Sequence, residues 1–420
     1  MNQEYYVYFI QERYIINERI SMNILILLIL PLVSYGPWES VGPEGGEVKA
    51  VLQSTAEAGT LFALSGYNPT QVVRSTDGGN SWSTISSFTN GTPYDMVMTA
   101  TGKLVAVGSS RVWTSSDNGM NWSETYFSNT YFYDAVAHPT DGEEVFASGY
   151  KYNGSNWDMT FYHSADAGVN WSSLPVLATG YTSYGRCIDV SPSNPDHILV
   201  GGYEYNAAYA PYLFLSTNGG TSFTDVTPPS ATYYMNGAAF HPANPAVMLS
   251  GSLSNMWRST DSGATWANMR NQSYNYDISF SSADNNLVYS TASSVAYRST
   301  DGGITWTTIS SGLGGADIKW IAPDLANSSL VYTGSSAGFY YSSNSGSSWS
   351  PHNTGLLVGK VLAMEHVNGW VFMNMEDLGL FKAEDGSSLN WQEVTTPLAC
   401  GDFCAIVAVQ DTILALEGTG

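Results

Sequence analysis

The sequence predicts an all-β fold, a β-propeller of four-stranded antiparallel blades. An eight-residue pattern recurs along the 420-residue chain, with successive copies starting 40 to 52 residues apart. A repeat of this length, made of short apolar runs and turn residues, is typical of a propeller blade. Gly (41), Tyr (28) and Trp (13) are abundant while charged residues make up 12% of the chain, which favours short strands over helices.

The recurring pattern is Ser-x-Asp-x-Gly-x-x-Trp, first seen at residues 75–82. The Asp oxygen can accept backbone N–H groups of its own turn, Gly supplies the φ > 0 position, and Trp begins the next strand. Two copies carry Asn instead of Asp, which keeps the acceptor oxygen without the charge, so the pattern predicts a hydrogen-bonding role. The positions are Asp77, Asp117, Asp166, Asn218, Asp261, Asp301 and Asn344.

These octets resemble those of the Asp-box, or BNR-repeat, β-propellers, which include sialidase-like, xyloglucanase-type and sortilin-like proteins. The resemblance covers about residues 37 to 420. It implies that the Asp-box turns share one face of the propeller. It also implies either a glycoside hydrolase or a non-catalytic binder, because this superfamily contains both.

Three segments are predicted along the chain. The apolar run at residues 24–33 favours a signal peptide over residues 1–36, with Met22 as a possible true start. Residues 37–351 would form seven Asp-box repeats, and residues 352–420 a divergent eighth repeat and an incomplete ninth, in the same or a second propeller. About eight repeats are therefore present, and the predicted ring has seven to ten blades.

The composition restricts the partners. A formal net charge of −22 argues against nucleic acid, and no membrane insertion is expected after signal cleavage. The spacing of Cys and His predicts no metal site, and no cofactor is expected. Whether Cys400 and Cys404 form a disulfide stays open. We expect a secreted or cell-surface protein.

Aromatic residues concentrate in the loops predicted to lie opposite the Asp boxes, around the third to fifth repeats. Exposed aromatic rings with few Lys or Arg residues suit sugar stacking or peptide capture. The alternative is that these rings only pack loop against loop. The candidate ligand-binding residues are Tyr133, Tyr152, Trp157, Tyr184, Arg186, Tyr203, Tyr205, Tyr209, Tyr234 and Tyr276.

A Tyr-Asp pair begins the innermost strand in three repeats, which makes Asp95, Asp134 and Asp277 candidate catalytic carboxylates. A glycosidase needs two carboxyl groups about 5–9.5 Å apart. The alternative is structural: each Asp would accept backbone N–H groups of the neighbouring blade. Arg186, Asn236 and Asp317 are expected at the matching positions of other repeats.

The enzymes of the superfamily offer two further comparisons. Three arginines directly precede Asp boxes, and the early Arg-Ile-Pro signature is absent, which argues against a sialidase: Arg74, Arg258 and Arg298. Residues 38–46 (WESVGPEGG) resemble the opening of xyloglucanase-type enzymes. Their catalytic Asp ends the second strand, whereas the matching residues 63–67 contain no Asp.

The leading prediction is therefore a binding module for an extracellular glycan or peptide, acting through the aromatic loop face. The first alternative is a glycoside hydrolase, xyloglucanase-like, that uses the carboxylates at the channel mouth. The second is a structural or adhesin segment of a longer exported protein.

Overall fold

The computed structural model describes residues 5–11, 14–18, 45–66, 69–177, 181–206, 208–271, 275–315, 317–354, 356, 361–367, 370–375, 379–384, 391–393, 403–409 and 412–418. The chain divides into two units, Glu47–Leu356 and a second made of Met1–Gly46 with Leu357–Gly420. The predicted signal-peptide apolar run, the eighth Asp-box turn and Cys400 lie outside the described residues.

Every regular element among the described residues is a β-strand. In chain order the strands are β1 (Tyr5–Gln11), β2 (Tyr14–Glu18), β3 (Val48–Gln53), β4 (Leu61–Ser65), β5 (Thr70–Ser75), β6 (Ser83–Phe88), β7 (Pro93–Met98), β8 (Leu104–Ser115), β9 (Ser123–Ala137), β10 (Val145–Tyr152), β11 (Trp157–Ser164), β12 (Ser172–Leu177), β13 (Thr182–Val190), β14 (Ile198–Tyr205), β15 (Tyr209–Ser216), β16 (Thr224–Asp225), β17 (Met235–His241), β18 (Asn244–Ser252), β19 (Asn255–Ser259), β20 (Ala267–Asn271), β21 (Asn275–Phe280), β22 (Val288–Ala292), β23 (Val295–Ser299), β24 (Thr307–Thr308), β25 (Ile318–Pro323), β26 (Val331–Ser335), β27 (Gly338–Ser342), β28 (Ser350–Pro351), β29 (Val361–Val367), β30 (Trp370–Met375), β31 (Gly379–Glu384), β32 (Gln392–Glu393), β33 (Phe403–Val409) and β34 (Thr412–Gly418).

The described strands of Glu47–Leu356 form six antiparallel sheets whose strand order follows the chain. Five sheets have four strands each: β3–β6, β13–β16, β17–β20, β21–β24 and β25–β28. The sixth has six strands, β7–β12, and carries two Asp boxes, so it spans two sequence repeats. The predicted propeller of antiparallel sheets is confirmed.

The described strands of Glu47–Leu356 form six sheets, fewer than the predicted seven to ten blades, and one long strand explains part of the difference. The first part of β9 pairs with β8, as at Tyr126 with Arg111, and the second part pairs with β10, as at Ala137 with Val145. One strand therefore ends one repeat and begins the next, and the hydrogen-bond ladder continues across their border.

The second unit contains two further four-stranded sheets among its described strands. One has the order β29-β30-β31-β32, and the other has the order β2-β1-β34-β33. All their pairings are antiparallel, including the pairing of β1 with β34.

The ring of Glu47–Leu356 closes where its last sheet packs on its first. The indole Nε1 of Trp82 donates to the carbonyl of His352 (3.1 Å), and that of Trp320 donates to the carbonyl of Val48 (3.3 Å). The Trp82 ring also meets Phe339 edge-on, with centroids 4.9 Å apart. A Cβ at Gly79, whose φ is +88°, would lie 2.6 Å from the Phe339 ring, so this turn requires glycine.

The seven Asp-box turns share one hydrogen-bond pattern. In the first, Asp77 Oδ1 accepts the Ser81 N–H (2.9 Å) and the Ser75 hydroxyl (2.7 Å), while the Ser75 hydroxyl accepts the Gly79 N–H (2.8 Å). The carboxylate-to-N–H bond is repeated in every copy at 2.8–3.0 Å, including the two Asn copies. Each turn thus fixes the aromatic residue that follows it, which is Trp in six copies and Phe223 in the fourth.

The pattern yields a stability prediction for one turn. Asp77→Asn keeps the acceptor oxygen, so we expect its melting temperature to stay close to that of the wild type. Asp77→Ala removes the bonds to Ser75 and Ser81, and each lost bond is expected to cost about 1 kcal/mol. Thermal unfolding monitored by circular dichroism distinguishes the two variants. Equal destabilisation by Asn and Ala would contradict the hydrogen-bonding role.

Candidate functional site

A β-bulge recurs at one position in the innermost strand of every repeat in Glu47–Leu356. In β13, for example, Gly185 pairs with Gly202 and Cys187 with Gly201, so Arg186 is the extra residue. A bulge re-aims a side chain and bends the strand. Here the extra residues all line one central cavity of about 650 Å³. This bulge ring consists of Lys49, Tyr94, Tyr133, Arg186, Asn236, Tyr276 and Lys319.

The bulge ring corrects one of the matched positions. The sequence comparison aligned Asp317 with the Tyr-Asp pairs of the other repeats, but the bulge in β25 falls at Lys319. Asp317 instead lies before β25, where its carboxylate pairs with the Lys319 ammonium at 2.5 Å. Lys319 lies 25 residues before Asn344, the same spacing as from Tyr276 to Asp301, so the Asp-box spacing marks this bulge, whereas comparison with the Tyr-Asp pairs did not reveal it.

Four carboxylates line the cavity and bind the backbone of the next innermost strand. Asp95 accepts the Ala135 N–H (3.1 Å) and Asp134 accepts the Ile188 N–H (2.9 Å). In the same way, Asp277 accepts the Ile321 N–H (2.9 Å). The fourth, Asp189, accepts the N–H of Phe240 at 2.7 Å and was missed by the sequence analysis. These bonds tie neighbouring strands together, as the structural alternative requires.

Burial raises the pKa of all four carboxyl groups, because it penalises the charged form. The pKa of Asp189 rises to about 7 and that of Asp277 to about 6. The pKa of Asp95 is also raised, and that of Asp134 is raised well above its usual value by burial and then by the charge of Asp95. Asp95 and Asp134 also interact with each other through a side-chain hydrogen bond, so the pKa of each carboxyl group depends on the charge of the other.

The mutual contact of Asp95 and Asp134 bears on catalysis. Two carboxyl groups in hydrogen-bond contact are closer than the roughly 5–9.5 Å that separates a glycosidase pair. The contact leaves no room between them for a glycosidic oxygen or a water molecule. A hydrolytic pair would therefore combine one of them with Asp277, whose charge acts on Asp134 across the cavity.

Two lysines of the bulge ring have acidic groups nearby. Burial lowers the pKa of Lys49 to about 8, and the charge of Glu47 opposes this shift. Burial acts in the same direction on Lys319, but the hydrogen bond and charge of Asp317 outweigh it and raise its pKa. The positive charge of each lysine therefore has a nearby negative charge to offset it.

An unbroken series of aromatic rings lies beside the cavity. Ring centroids are 4.7 Å apart for Tyr131 and Tyr150, 4.8 Å for Tyr150 and Tyr184, 5.0 Å for Tyr184 and Tyr203, and 4.7 Å for Tyr203 and Tyr234. Further rings join this series at its sides. We call the whole set the aromatic platform: Tyr131, Tyr150, Tyr152, Trp157, Tyr184, Tyr203, Tyr205, Tyr209, Tyr233 and Tyr234.

The strand registers explain why these rings meet opposite the Asp boxes. In the β10–β11 hairpin, Tyr152 pairs with Trp157 at one end, whereas Val145 pairs with Ser164, the first Asp-box residue, at the other. Seven residues of strand separate the two ends, which corresponds to about 23 Å. The β14–β15 hairpin repeats this arrangement, with Tyr205 paired to Tyr209 at the platform end.

The structure brings together most of the candidate ligand-binding residues. Seven of the ten belong to the platform, and Tyr133 and Arg186 adjoin it, since the Arg186 guanidinium lies over the rings of Tyr133 (4.5 Å) and Tyr203 (5.4 Å). Tyr276 lies apart, under the Lys319 ammonium (4.7 Å). The spacing from the Asp box would have found Lys319 but not Lys49, which lies 28 residues before Asp77, and the sequence analysis selected neither.

Two searches of the described residues found no further site. No group of three or more His, Cys, Asp or Glu side chains in that part of the chain is arranged to hold a metal ion. No helix there is long and apolar enough to cross a membrane. The one described cysteine side chain, Cys187, is free and buried.

Known proteins resemble this chain in its repeats and in its sequence. The family model for the BNR/Asp-box repeat matches residues 297–308. A xyloglucanase from Paenibacillus sp is 24% identical over 313 residues, covering 60% of this chain and 30% of that protein. A xyloglucanase from Hypocrea jecorina is 26% identical over 231 residues, covering 50% and 25%. The chain thus spans less than a third of the length of these relatives.

Solved structures agree on the fold. The crystal structure of an ancestral GH74 enzyme superposes with a TM-score of 0.72 at 15% identity, covering 92% of this chain and 60% of that one. YCF48 from Cyanidioschyzon merolae superposes with a TM-score of 0.52 at 15% identity, covering 73% and 98%. At these identities the likeness concerns the propeller architecture alone.

Proposed function

We propose that this chain, which is an Asp-box (BNR-repeat) β-propeller, is an exported protein that binds a glycan on its aromatic platform. The observation that carries the proposal is the unbroken contact of ten aromatic rings at the mouth of the cavity. Pyranose rings stack on such surfaces, because C–H groups on one sugar face pack against the aromatic face. The similarity to two xyloglucanases makes xyloglucan the first glycan to test.

The aromatic platform combines buried rings with exposed rings that pack against them, an arrangement suited to a binding surface. Tyr203 is 8% exposed and contacts Tyr209 (5.6 Å), which is 41% exposed. Tyr205 and Tyr233 flank Tyr209 and are about half exposed. Rings held by other rings lose little conformational freedom when a ligand binds, which favours affinity.

Binding is tested by titrating the protein with xyloglucan oligosaccharides in a calorimeter. We expect Tyr209→Ala to weaken binding by about 10-fold, which corresponds to 1.4 kcal/mol. The matched control is Tyr126→Ala, because Tyr126 is 61% exposed but lies outside the platform, under Arg111. Equal effects of the two substitutions would contradict the platform as the binding surface.

A glycoside hydrolase is the second candidate, favoured by the similarity to xyloglucanases. It requires one of Asp95 and Asp134 to act together with Asp277, since the first two contact each other and are too close to form a glycosidase pair. Release of reducing ends from xyloglucan by the wild type, abolished in Asp134→Asn, would support it. Binding of xyloglucan without release of reducing ends would support the binding module and exclude the xyloglucan hydrolase. If neither glycans nor peptides bind, the structural or adhesin role is favoured.

A further inference from the structure

Arg186 differs from the other cations of the bulge ring in its partners. Its Nη1 donates to the Tyr133 hydroxyl, and its Nη2 reaches the Tyr203 hydroxyl at 3.5 Å. Both partners are neutral phenols, whereas Lys319 pairs with a carboxylate. The side chain is partly buried, and the guanidinium is held between two aromatic faces while lining the cavity.

The guanidinium keeps donors for a further partner. It has five N–H groups in a planar fork, and the two bonds to phenols use two of them. The carboxyl groups that line the cavity have other partners, since Asp134 accepts the Ile188 N–H and interacts with Asp95. A positive charge that is partly removed from water and stacked on rings is best balanced by an anionic group that enters from the cavity.

Resting on the glycan-binding function proposed above, we propose that the glycan is acidic and that Arg186 binds the carboxylate of a uronic acid residue. The planar carboxylate would accept two parallel N–H groups of the guanidinium, an arrangement that lysine does not reproduce. The pyranose ring of the same residue would stack on Tyr184 or Tyr234. Both phenol groups lie close enough to Arg186 that its charge acts to lower their pKa. A sugar fits this site better than a peptide terminus, because the carboxylate-binding group is surrounded by stacking surfaces.

The inference is tested with a ligand pair in which methyl esterification removes the charge of the carboxyl groups. Tetragalacturonate and its fully methyl-esterified form are titrated into the wild-type protein at 150 mM NaCl. We expect the acid to bind at least about 10-fold tighter than the ester, since hydrogen bonds to a charged group are roughly twice as strong as neutral ones. Arg186→Met should abolish this preference, and Arg186→Lys should restore part of it without the fork geometry.

A matched arginine provides the control. Arg111 also lies over a tyrosine ring (Tyr126, 5.2 Å), but its Nε binds the Glu124 carboxylate at 2.7 Å. Arg111→Met should therefore leave the preference for the acid unchanged. If Arg186→Met unfolds the protein, Arg186→Lys still tests the inference, because a folded Lys variant with the full wild-type preference would contradict the fork.

The outcomes separate this inference from the proposed function. Binding of neutral xyloglucan oligosaccharides with equal affinity for acid and ester would overturn the inference and leave the function standing. Absence of binding to every glycan would overturn both. A peptide with a free C-terminal carboxylate is compared with its amide, and Arg186-dependent binding of the free peptide, without binding of tetragalacturonate, would overturn the sugar as the source of the carboxylate.

Discussion

Replacing Trp82 by Ala is expected to lower the free energy of unfolding by about 3–5 kcal/mol, the usual range for loss of a buried Trp. The residue is 6% exposed and fills the contact between the last and first sheets of the ring. The substitution removes the indole bond to the His352 carbonyl (3.1 Å) and the edge contact with Phe339 (4.9 Å). It leaves the backbone bond from the Trp82 N–H to the Thr354 carbonyl (2.8 Å) in place.

Because Trp82 lies where the ring closes, its loss should open the contact between the last and first sheets, an effect not expected for the other Asp-box Trp residues. The β25–β28 and β3–β6 sheets are not consecutive in the chain, so side-chain packing and a few hydrogen bonds hold them together. The control is Trp266→Ala, because Trp266 donates to the Val226 carbonyl (2.7 Å) between two sheets that are consecutive in the chain.

Hydrogen exchange followed by mass spectrometry distinguishes the two variants. We expect Trp82→Ala to speed exchange in β3 and β26 well before global unfolding, as a locally opened ring would. Trp266→Ala should lower global stability without a selective effect on those strands. Uniform exchange in both variants would contradict closure by side-chain packing.

Much of the architecture could be predicted from the sequence because each Asp box marks a turn directly. In the sixth repeat, the apolar alternation and the turn residues predict strands over residues 276–280, 287–291, 295–299 and 305–309. The structure has β21 to β24 at Asn275–Phe280, Val288–Ala292, Val295–Ser299 and Thr307–Thr308. The octet determines where the third strand ends, and the apolar alternation places the others within two residues.

The features that escaped prediction are those that depend on pairing between strands. The six-stranded sheet depends on how β9 continues across two repeats, which residue types do not reveal. Asp189 was missed because the bulge at Arg186 changes which later residues of β13 face the cavity. The platform was predicted more successfully, because hairpin ends follow from the octet spacing and the Tyr residues are concentrated there.

The second large effect concerns Asp189, whose replacement by Asn is expected to stabilise the protein strongly at pH 8 and by a smaller amount at pH 5. Burial raises the pKa of this carboxyl group from 3.8 to about 7 in the folded state. Between those pH values the folded state binds more protons than the unfolded state, so stability falls as the pH rises. The loss is complete above pH 7 and amounts to something on the order of 4 kcal/mol.

Asn at this position would keep the acceptor for the Phe240 N–H (2.7 Å) and remove the charge. The measurement is chemical denaturation of both proteins from pH 5 to pH 8, and the expected result is two curves that separate as the pH rises. Asp225→Asn is the control, because Asp225 is exposed and also accepts a backbone N–H, from Thr227 (2.9 Å). Its carboxylate is exposed to water in the folded state, so this substitution controls for the loss of one side-chain charge at the surface. Parallel curves for the wild type and Asp189→Asn would mean that the cavity solvates this carboxylate as well as water does, which would contradict a pKa raised by burial.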